Sequence, residues 1–227
     1  MEKYTEKDLK AFERDEQGWL ICPGGDYSEI KTFPWKCSFG EFCAFGAGCS
    51  FGKSCSFGRG CSFGGWCSFG VWCSFGVGCS FGEHCSFGER CSFGERCSFG
   101  ELCGFGELCS FGELCSFGSW NSFGECCSFG KGCSFGAGSS FEKACSHEGL
   151  TNSIYVAIDR IGSELRKTYF FKAEEGYFVR AGCFFGTIDE FKTKVHETHG
   201  GEIHETTYLM ACDLAVKLLD SQWEEVK

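Results

Sequence analysis

Residues 87–118 read FGERCSFGERCSFGELCGFGELCSFGELCSFG, a run that repeats every six residues. The same unit, C-S-F-G-x-x, begins at Cys37 and continues without an insertion for 18 units, to Ala144. Phenylalanine fills the third position of every unit, and cysteine fills the first position except at Asn121 and Ser139. A period this strict indicates a repeat architecture in which each unit packs on its neighbours.

The spacing within a unit predicts which side chains face the core. Neighbouring residues of a strand point to opposite sides, so the first and third residues share one side and the second residue takes the other. We therefore expect Cys and Phe to point inward and Ser to point outward. The glycine after Phe permits a bend, and the last residue of the unit is expected to face solvent.

Written from its phenylalanine, the unit F-G-x-x-C-S closely resembles the hexapeptide repeat of left-handed parallel β-helix proteins, which usually have Leu, Ile or Val where this chain has Phe. In that family three hexapeptides make one triangular coil, so the resemblance implies about six coils for residues 37–144. Equivalent positions then stack 18 residues apart. We expect a mainly β protein built on a left-handed parallel β-helix, with a short N-terminal cap and a small C-terminal α+β domain.

The cysteines of the repeat are interpreted as core residues. Structural zinc sites usually pair close ligands as C-x-x-C, whereas the spacing here is six residues. Parallel Cβ vectors in a stacked ladder do not converge as a disulfide requires. Asn121 and Ser139 replace cysteine without interrupting the array, which fits a requirement for small size. The sequence predicts no metal site and no cofactor.

The last two residues of each unit predict an interaction surface. A solenoid has no folding reason to place large apolar side chains on its outside, and Trp with Arg is typical of the centre of protein interfaces. Glutamate is concentrated at the fifth position in the middle of the array. The predicted partner-binding residues are Trp66, Trp72, His84, Arg90, Arg96, Leu102, Leu108, Leu114 and Trp120, together with Glu89, Glu95 and Glu101.

Two kinds of partner fit such a surface. Left-handed β-helix proteins are often trimers, so the resemblance implies lateral packing of copies into a dimer or trimer. The other partner is a different protein that docks on the same residues.

Composition divides the chain into three parts. Residues 1–36 are expected to cap the open end of the solenoid with a short helix, which Thr5 and Asp8 begin, and a short strand at Trp19–Cys22. Residues 37–144 form the solenoid. Residues 145–227 are predicted to form about three antiparallel strands and then two helices, the first of which begins at a capping box over residues 187–190.

Both flanks contain stretches with a second resemblance. TEKDLKAFERDEQGWLICPGGDYSEI and RAGCFFGTIDEFKTKVHETHG resemble flanks of uncharacterised phage and prophage proteins that carry hexapeptide or pentapeptide arrays. No established activity comes with this resemblance. It implies a role in phage–host conflict, such as blocking a host defence or nucleic-acid-handling factor.

Enzymatic alternatives remain open beside this binding hypothesis. Hexapeptide acyltransferases use a histidine near subunit boundaries and usually a loop that leaves the coil, whereas His84 is the single histidine of this array and no loop interrupts it. In the C-terminal domain, Cys183 with His196 or His199 is a possible nucleophile–base pair. Cys183 lies in an apolar run typical of an inert thiol, and histidines at a helix end commonly cap carbonyls. We predict a non-enzymatic binding protein, with a structural self-assembling component as a further alternative.

Charge and hydropathy restrict the partners further. The net charge of −10 is spread over the three parts as −2, −3 and −5. Because no part is basic, direct nucleic-acid binding is not expected. No apolar run approaches the ~20 residues of a membrane span, and the charged N-terminus does not resemble a signal peptide. We therefore expect no membrane association and a cytoplasmic location, in the host cytoplasm if a phage encodes the protein.

Overall fold

The computed structural model describes residues 1–136, 139–142, 145–148, 150, 153–163, 165–182 and 184–226. The chain divides into two compact units, Met1–Lys143 and Ala144–Lys227. The first unit is a parallel β-solenoid, and the second is a small domain of antiparallel strands and helices. Both the mainly β class and the parallel solenoid that the repeat predicts are confirmed.

Each repeat of the solenoid contributes one short strand, usually the Ser-Phe pair alone, because a glycine and two turn residues follow it. Within the described ranges the strands form three parallel sheets. The first sheet contains β1 (Leu20–Cys22), β3 (Cys37–Phe39), β6 (Ser56–Phe57), β9 (Ser74–Phe75), β12 (Ser92–Phe93), β15 (Ser110–Phe111) and β18 (Ser128–Phe129). The second contains β4 (Ala44–Phe45), β7 (Ser62–Phe63), β10 (Ser80–Phe81), β13 (Ser98–Phe99), β16 (Ser116–Phe117) and β19 (Ser134–Phe135). The third contains β2 (Thr32–Phe33), β5 (Ser50–Phe51), β8 (Ser68–Phe69), β11 (Ser86–Phe87), β14 (Gly104–Phe105), β17 (Ser122–Phe123) and β20 (Ser140–Phe141).

Strand pairing confirms that three hexapeptides make one coil, since each phenylalanine pairs with the phenylalanine 18 residues away, as Phe93 does with Phe75 and Phe111. The described strands give about seven coils rather than about six. The additional coil comes from the N-terminal flank, where Leu20 pairs with Cys37 and Phe33 pairs with Phe51. This flank therefore extends the sheets as well as capping them. The left-handed coiling stays a prediction.

Stacked phenylalanine rings fill the centre of the solenoid. Along one ladder the rings of successive coils are parallel, with centroids 4.8 Å apart for Phe75 and Phe93. Within a coil the rings meet edge to face, as Phe75 and Phe81 do at 5.0 Å and 87°. Both arrangements suit the aromatic quadrupole. The spacing between coils in a parallel sheet thus equals the stacking distance of the rings. This match explains why phenylalanine can fill the third position of every hexapeptide.

The N-terminal end of the aromatic core is covered by two tyrosines. Tyr27 stacks on Phe45 with centroids 5.5 Å apart, and Tyr4 stacks on Tyr27 at 4.9 Å. Tyr4 precedes helix α1 (Glu6–Ala11), where the Asp8 carboxylate accepts hydrogen bonds from the Thr5 N–H at 2.8 Å and the Thr5 hydroxyl at 2.7 Å. The short capping helix that the sequence predicts is confirmed.

The C-terminal unit has a four-stranded antiparallel sheet among its described residues, in the order β21 (Ile154–Ile161), β22 (Arg166–Ala173), β23 (Gly176–Ala181) and β24 (Phe184–Thr187). Helices α2 (Ile188–His199) and α3 (Ile203–Val226) pack on it through a core that includes Phe170, Val179 and Leu219. The sequence predicts about three strands, and the structure has four. The last predicted strand is divided into β23 and β24, because the chain reverses at Gly182, which has φ of +60°. The capping box of α2 is confirmed, since the Thr187 N–H donates to Glu190 at 2.8 Å.

Candidate interaction surface

The sixth residue of a hexapeptide, here called the corner residue, has a left-handed backbone conformation at every such position from residue 42 to residue 132. Trp66 and Trp72 have φ of +63°, and the N–H of Trp66 donates at 2.9 Å to the Glu83 carbonyl of the next coil. This conformation is routine for glycine but costs other residues about 1–2 kcal/mol. The non-glycine corner residues in it are Phe42, Ser54, Trp66, Trp72, His84, Arg90, Arg96, Leu102, Leu108, Leu114, Trp120 and Cys126.

The 18-residue register stacks the corner residues into three columns along the solenoid. The Trp66 column contains Gly48, Trp66, His84, Leu102 and Trp120. The Trp72 column contains Lys36, Ser54, Trp72, Arg90, Leu108 and Cys126, and the Arg96 column contains Phe42, Gly60, Gly78, Arg96, Leu114 and Gly132. The predicted partner-binding residues are therefore distributed over three corners, and the Trp66 column combines two tryptophans, a histidine and a leucine.

Contacts between successive coils order the side chains of these columns. The imidazole of His84 stacks on the indole of Trp66 with centroids 4.0 Å apart. In the next column, the Arg90 guanidinium carbon lies 4.8 Å from the centre of the Trp72 ring, a cation–π contact. Trp66 and Trp120 are nevertheless 63% and 64% exposed. Large apolar surface thus remains available on the outside of the coil.

The predicted glutamates are exposed fifth residues, and each belongs to a different corner. Glu89 lies beside the Trp72 column, Glu95 beside the Arg96 column and Glu101 beside the Trp66 column. Their backbone carbonyls close the turns, since the N–H groups of Trp72 and His84 donate to Glu89 and Glu101 at 3.0 and 2.9 Å. Each column of aromatic and aliphatic corners is therefore flanked by carboxylates, rather than one face of the coil being acidic.

The cysteines have a role that sequence reasoning missed. From Cys61 onwards, the thiols at the first position of the repeat donate hydrogen bonds to the carbonyl of a glycine in the preceding coil, as from Cys97 to Gly76 and from Cys115 to Gly94, each at 3.4 Å. A signal for a hydrogen-bonding role was present at Asn121, although its amide donates at 2.8 Å to the carbonyl of Gly118 in its own coil. Ser139 likewise donates within its own coil, to the Gly136 carbonyl at 3.1 Å. The two replacements for cysteine are both hydrogen-bond donors as well as small.

The pKa values of the ladder thiols are shifted in both directions. Hydrogen bonds with Cys127 and Cys91 lower the pKa of Cys109 to about 4, whereas two thiols of another ladder have a raised pKa. The hydrogen bond with Cys133 and burial raise the pKa of Cys115 to about 12. The hydrogen bond with Cys115 and burial do the same for the pKa of Cys97. A raised pKa disfavours the thiolate, which is the form that attacks electrophiles and binds metals. The described cysteines are all unbridged, and the described residues contain no cluster of three His, Cys, Asp or Glu that could hold a metal ion.

Of the catalytic residues weighed in the C-terminal unit, Cys183 lies outside the described residues. His196 is exposed, and its Nδ1 lies 2.6 Å from Glu205 Oε1. Glu205 also accepts a hydrogen bond from the Gly201 N–H at 2.7 Å, and these contacts lower the pKa of its carboxyl. His199 Nδ1 lies 3.6 Å from Glu202. These two histidines therefore contact carboxylates at the turn between α2 and α3, rather than the carbonyl groups that the sequence predicts for them.

No family model matches the chain, and neither a curated protein nor a solved structure matches it. Among the residues that the structure describes, no helix has the length and apolarity needed to cross a membrane.

Proposed function

We propose that this chain is a rigid, non-enzymatic binding protein whose Trp66 column docks on a protein partner or on a second copy of the chain. The observation that supports this function is the presence of large, exposed side chains at left-handed corners. Gly48, Gly60 and Gly78 occupy the same position elsewhere, so the coil forms without a side chain there. Bulky residues in this conformation are unusual and tend to cluster at functional sites.

The charge around the column favours a particular kind of partner surface. Glu83 and Glu101 are the fifth residues next to the Trp66 column, and both are exposed. The tryptophans and leucine of the column, flanked by carboxylates, are complementary to a partner surface that has an apolar patch with a basic rim. Because the resemblance of both flanks points to phage and prophage proteins, we propose a host protein as the partner. In the alternative arrangement, columns of two or three copies pack side by side.

The double variant Trp66→Gly/Trp120→Gly tests this function. Glycine suits the corner conformation, so the variant keeps the coil and removes only the apolar surface. The matched control is Phe42→Gly, which removes a large exposed corner from the Arg96 column at a residue outside the predicted partner-binding set. We expect the first variant to weaken self-association, measured by analytical ultracentrifugation, or capture of host proteins by at least about tenfold, which is the loss of one interface hot spot. The control should weaken neither. Unchanged association and capture in the Trp66/Trp120 variant would refute the proposal.

A further inference from the structure

A groove of about 540 Å³ lies at the N-terminal end of the Trp72 column. Its lining comes from the turn pairs of three successive coils, and its volume falls within the range of small-molecule sites. The six lining residues are Trp35, Lys36, Lys53, Ser54, Val71 and Trp72.

The shape of the groove follows from the small side chain of Ser54. Arg90, from the following coil, stacks on Trp72 at 4.8 Å and does not line the groove. Ser54 therefore leaves a gap next to the other face of the indole, and Lys36 lies one coil beyond it. With successive rings 4.8 Å apart, Trp72 and Lys36 are separated by about 10 Å, twice the spacing of parallel strands. A planar ring in van der Waals contact on both faces needs about 7–8 Å, so one ring fits.

The groove is also positive, in contrast to the net charge of −10. Lys36 and Lys53 line it, and the Arg14 guanidinium lies 5.0 Å from the centre of the Trp35 ring. Lys36 donates to the Gln17 carbonyl at 3.1 Å, and Arg14 donates to the Gly18 carbonyl. Across the described part of the chain, no ion pair joins any of these three cations to a carboxylate. Their charge is available to an anionic ligand.

We infer that this groove binds a free nucleotide, with its base stacked on Trp72 in the gap beside Ser54 and its phosphate paired with Lys53 and Lys36. A planar ring already stacks on an indole at this coil spacing in the neighbouring column, since the His84 imidazole lies 4.0 Å from Trp66. A planar ring alone uses only the aromatic wall, and a phosphate alone uses only the lysines. A ligand that carries a planar ring and a phosphate contacts the aromatic wall and the lysines together.

Isothermal titration calorimetry of the full chain with AMP, adenosine and inorganic phosphate tests this site. We expect AMP to bind, and adenosine and phosphate each to bind at least about tenfold more weakly, because each lacks one of the two contacts. Phosphate binding as tight as that of AMP would reduce the groove to a general anion site and overturn the inference. It would equally be overturned if AMP did not bind at millimolar concentration, or if only a single-stranded oligonucleotide bound.

Filling the gap beside Trp72 with a side chain gives a variant that has a matched control. Ser54→Trp places an indole where the base is expected, in a left-handed corner conformation that Trp66, Trp72 and Trp120 already adopt. Gly48→Trp is the control, because it adds an indole in the same coil but in the Trp66 column, where a new Cβ meets open space. We expect Ser54→Trp to abolish AMP binding and Gly48→Trp to leave it unchanged. Equal AMP affinity in both variants contradicts the site.

Lys53→Gln tests the phosphate contact separately. We expect it to lower the affinity for AMP towards that for adenosine, with the circular dichroism spectrum unchanged. The groove lies outside the Trp66 column, so Trp66→Gly/Trp120→Gly should still bind AMP. Failure of the nucleotide site and failure of the proposed protein interface are therefore distinguishable.

Discussion

The imidazole of His84 lies nearly parallel to the indole of Trp66, with an angle of 13° between the rings and 4.0 Å between their centroids. In the core, Phe63 and Phe81 stack in the same way at 4.8 Å. Both contacts arise from the same 18-residue register, so one coil spacing orders the surface as well as the core. Side chains that are already ordered lose less conformational entropy when a partner binds, which favours a preformed docking surface.

Leu102→Gly tests whether the corner conformation carries strain. Relief of about 1–2 kcal/mol of left-handed strain should offset the extra chain entropy of glycine, about 0.4–1 kcal/mol, together with the lost contacts. We expect the free energy of unfolding, measured with urea, to stay within about 1 kcal/mol of the unsubstituted chain. Val77→Gly is the control, since Val77 is an exposed fifth residue without a left-handed φ. It should cost about 1 kcal/mol or more, and equal losses in the two variants would show that the corners are not strained.

Cys97 provides a test of the thiol hydrogen bonds. Cys97→Ala leaves the Gly76 carbonyl without the donor it has now and should lower the free energy of unfolding by about 1–3 kcal/mol. Cys97→Ser keeps a donor of similar size, as the chain itself does at Ser139, and should cost less. Urea denaturation of both variants gives the comparison. If alanine proves as stable as serine, the thiols act only by filling space.

Alkylation should distinguish the buried thiols from Cys126, which is exposed at a corner. Because the pKa values of Cys97 and Cys115 are raised to about 12, only about 1 in 10⁴ of these thiols is ionised at pH 8. A brief pulse of iodoacetamide, followed by peptide mass mapping of residues 1–136, is expected to modify Cys126 first. The ladder cysteines are buried, so they should react only after unfolding in urea. Rapid modification of Cys97 in the folded chain is the opposing result.

The C-terminal unit should lose stability as the pH falls below about 6.5. Burial lowers the pKa of His147 from 6.5 to about 4, and its ring Nδ1 lies 3.0 Å from Ser153 Oγ. Between these two values the unfolded chain takes up a proton that the folded chain does not. The stabilisation is therefore complete above pH 6.5 and is lost as the pH falls to 4, by up to about 3 kcal/mol.

Hydrogen exchange of the β22 and β23 amides, followed by mass spectrometry at pH 7.0, 5.5 and 4.5, measures this dependence. His147→Gln should flatten the change in opening free energy between pH 7.0 and 4.5. His196→Gln, at an exposed position, should retain the slope of the unsubstituted chain. A slope that persists in His147→Gln would assign the pH dependence to other groups.

The sequence predicts those parts of the fold that repeat or that use a local hydrogen-bonding motif. The six-residue period gives the inward Phe and Cys, and Thr5 with Asp8 and Thr187 with Glu190 identify two helix starts. The first coil could not be predicted in this way, because residues 20–36 occupy the same inward positions without the hexapeptide motif. The hairpin of β23 and β24 could not be predicted either, since the turn at Gly182 is surrounded by an apolar run.

The surface could be predicted only in part. Exposure of the corner residues follows from the period, and their sorting into columns follows from three hexapeptides in each coil. Their left-handed conformation was indicated by the glycines that share the position with Trp, Arg and Leu, as Gly48 does with Trp66. The contact of Arg90 with Trp72 and the gap at Ser54 depend on how side chains from successive coils stack. Spacing along the chain does not specify that packing.

Because three interchangeable hexapeptides make each coil, duplication of the gene segment affects core and surface differently. A copy of a single hexapeptide inserted at residue 97 would add one more ring to the Phe stack and keep every later strand in a sheet. It would also shift each later corner by one column, so that Trp120 would leave the column of Trp66. A copy of 18 residues would lengthen the solenoid and leave the columns intact. The core thus tolerates growth in steps of six, whereas the surface pattern is inherited only in steps of 18, and the array contains a whole number of such steps.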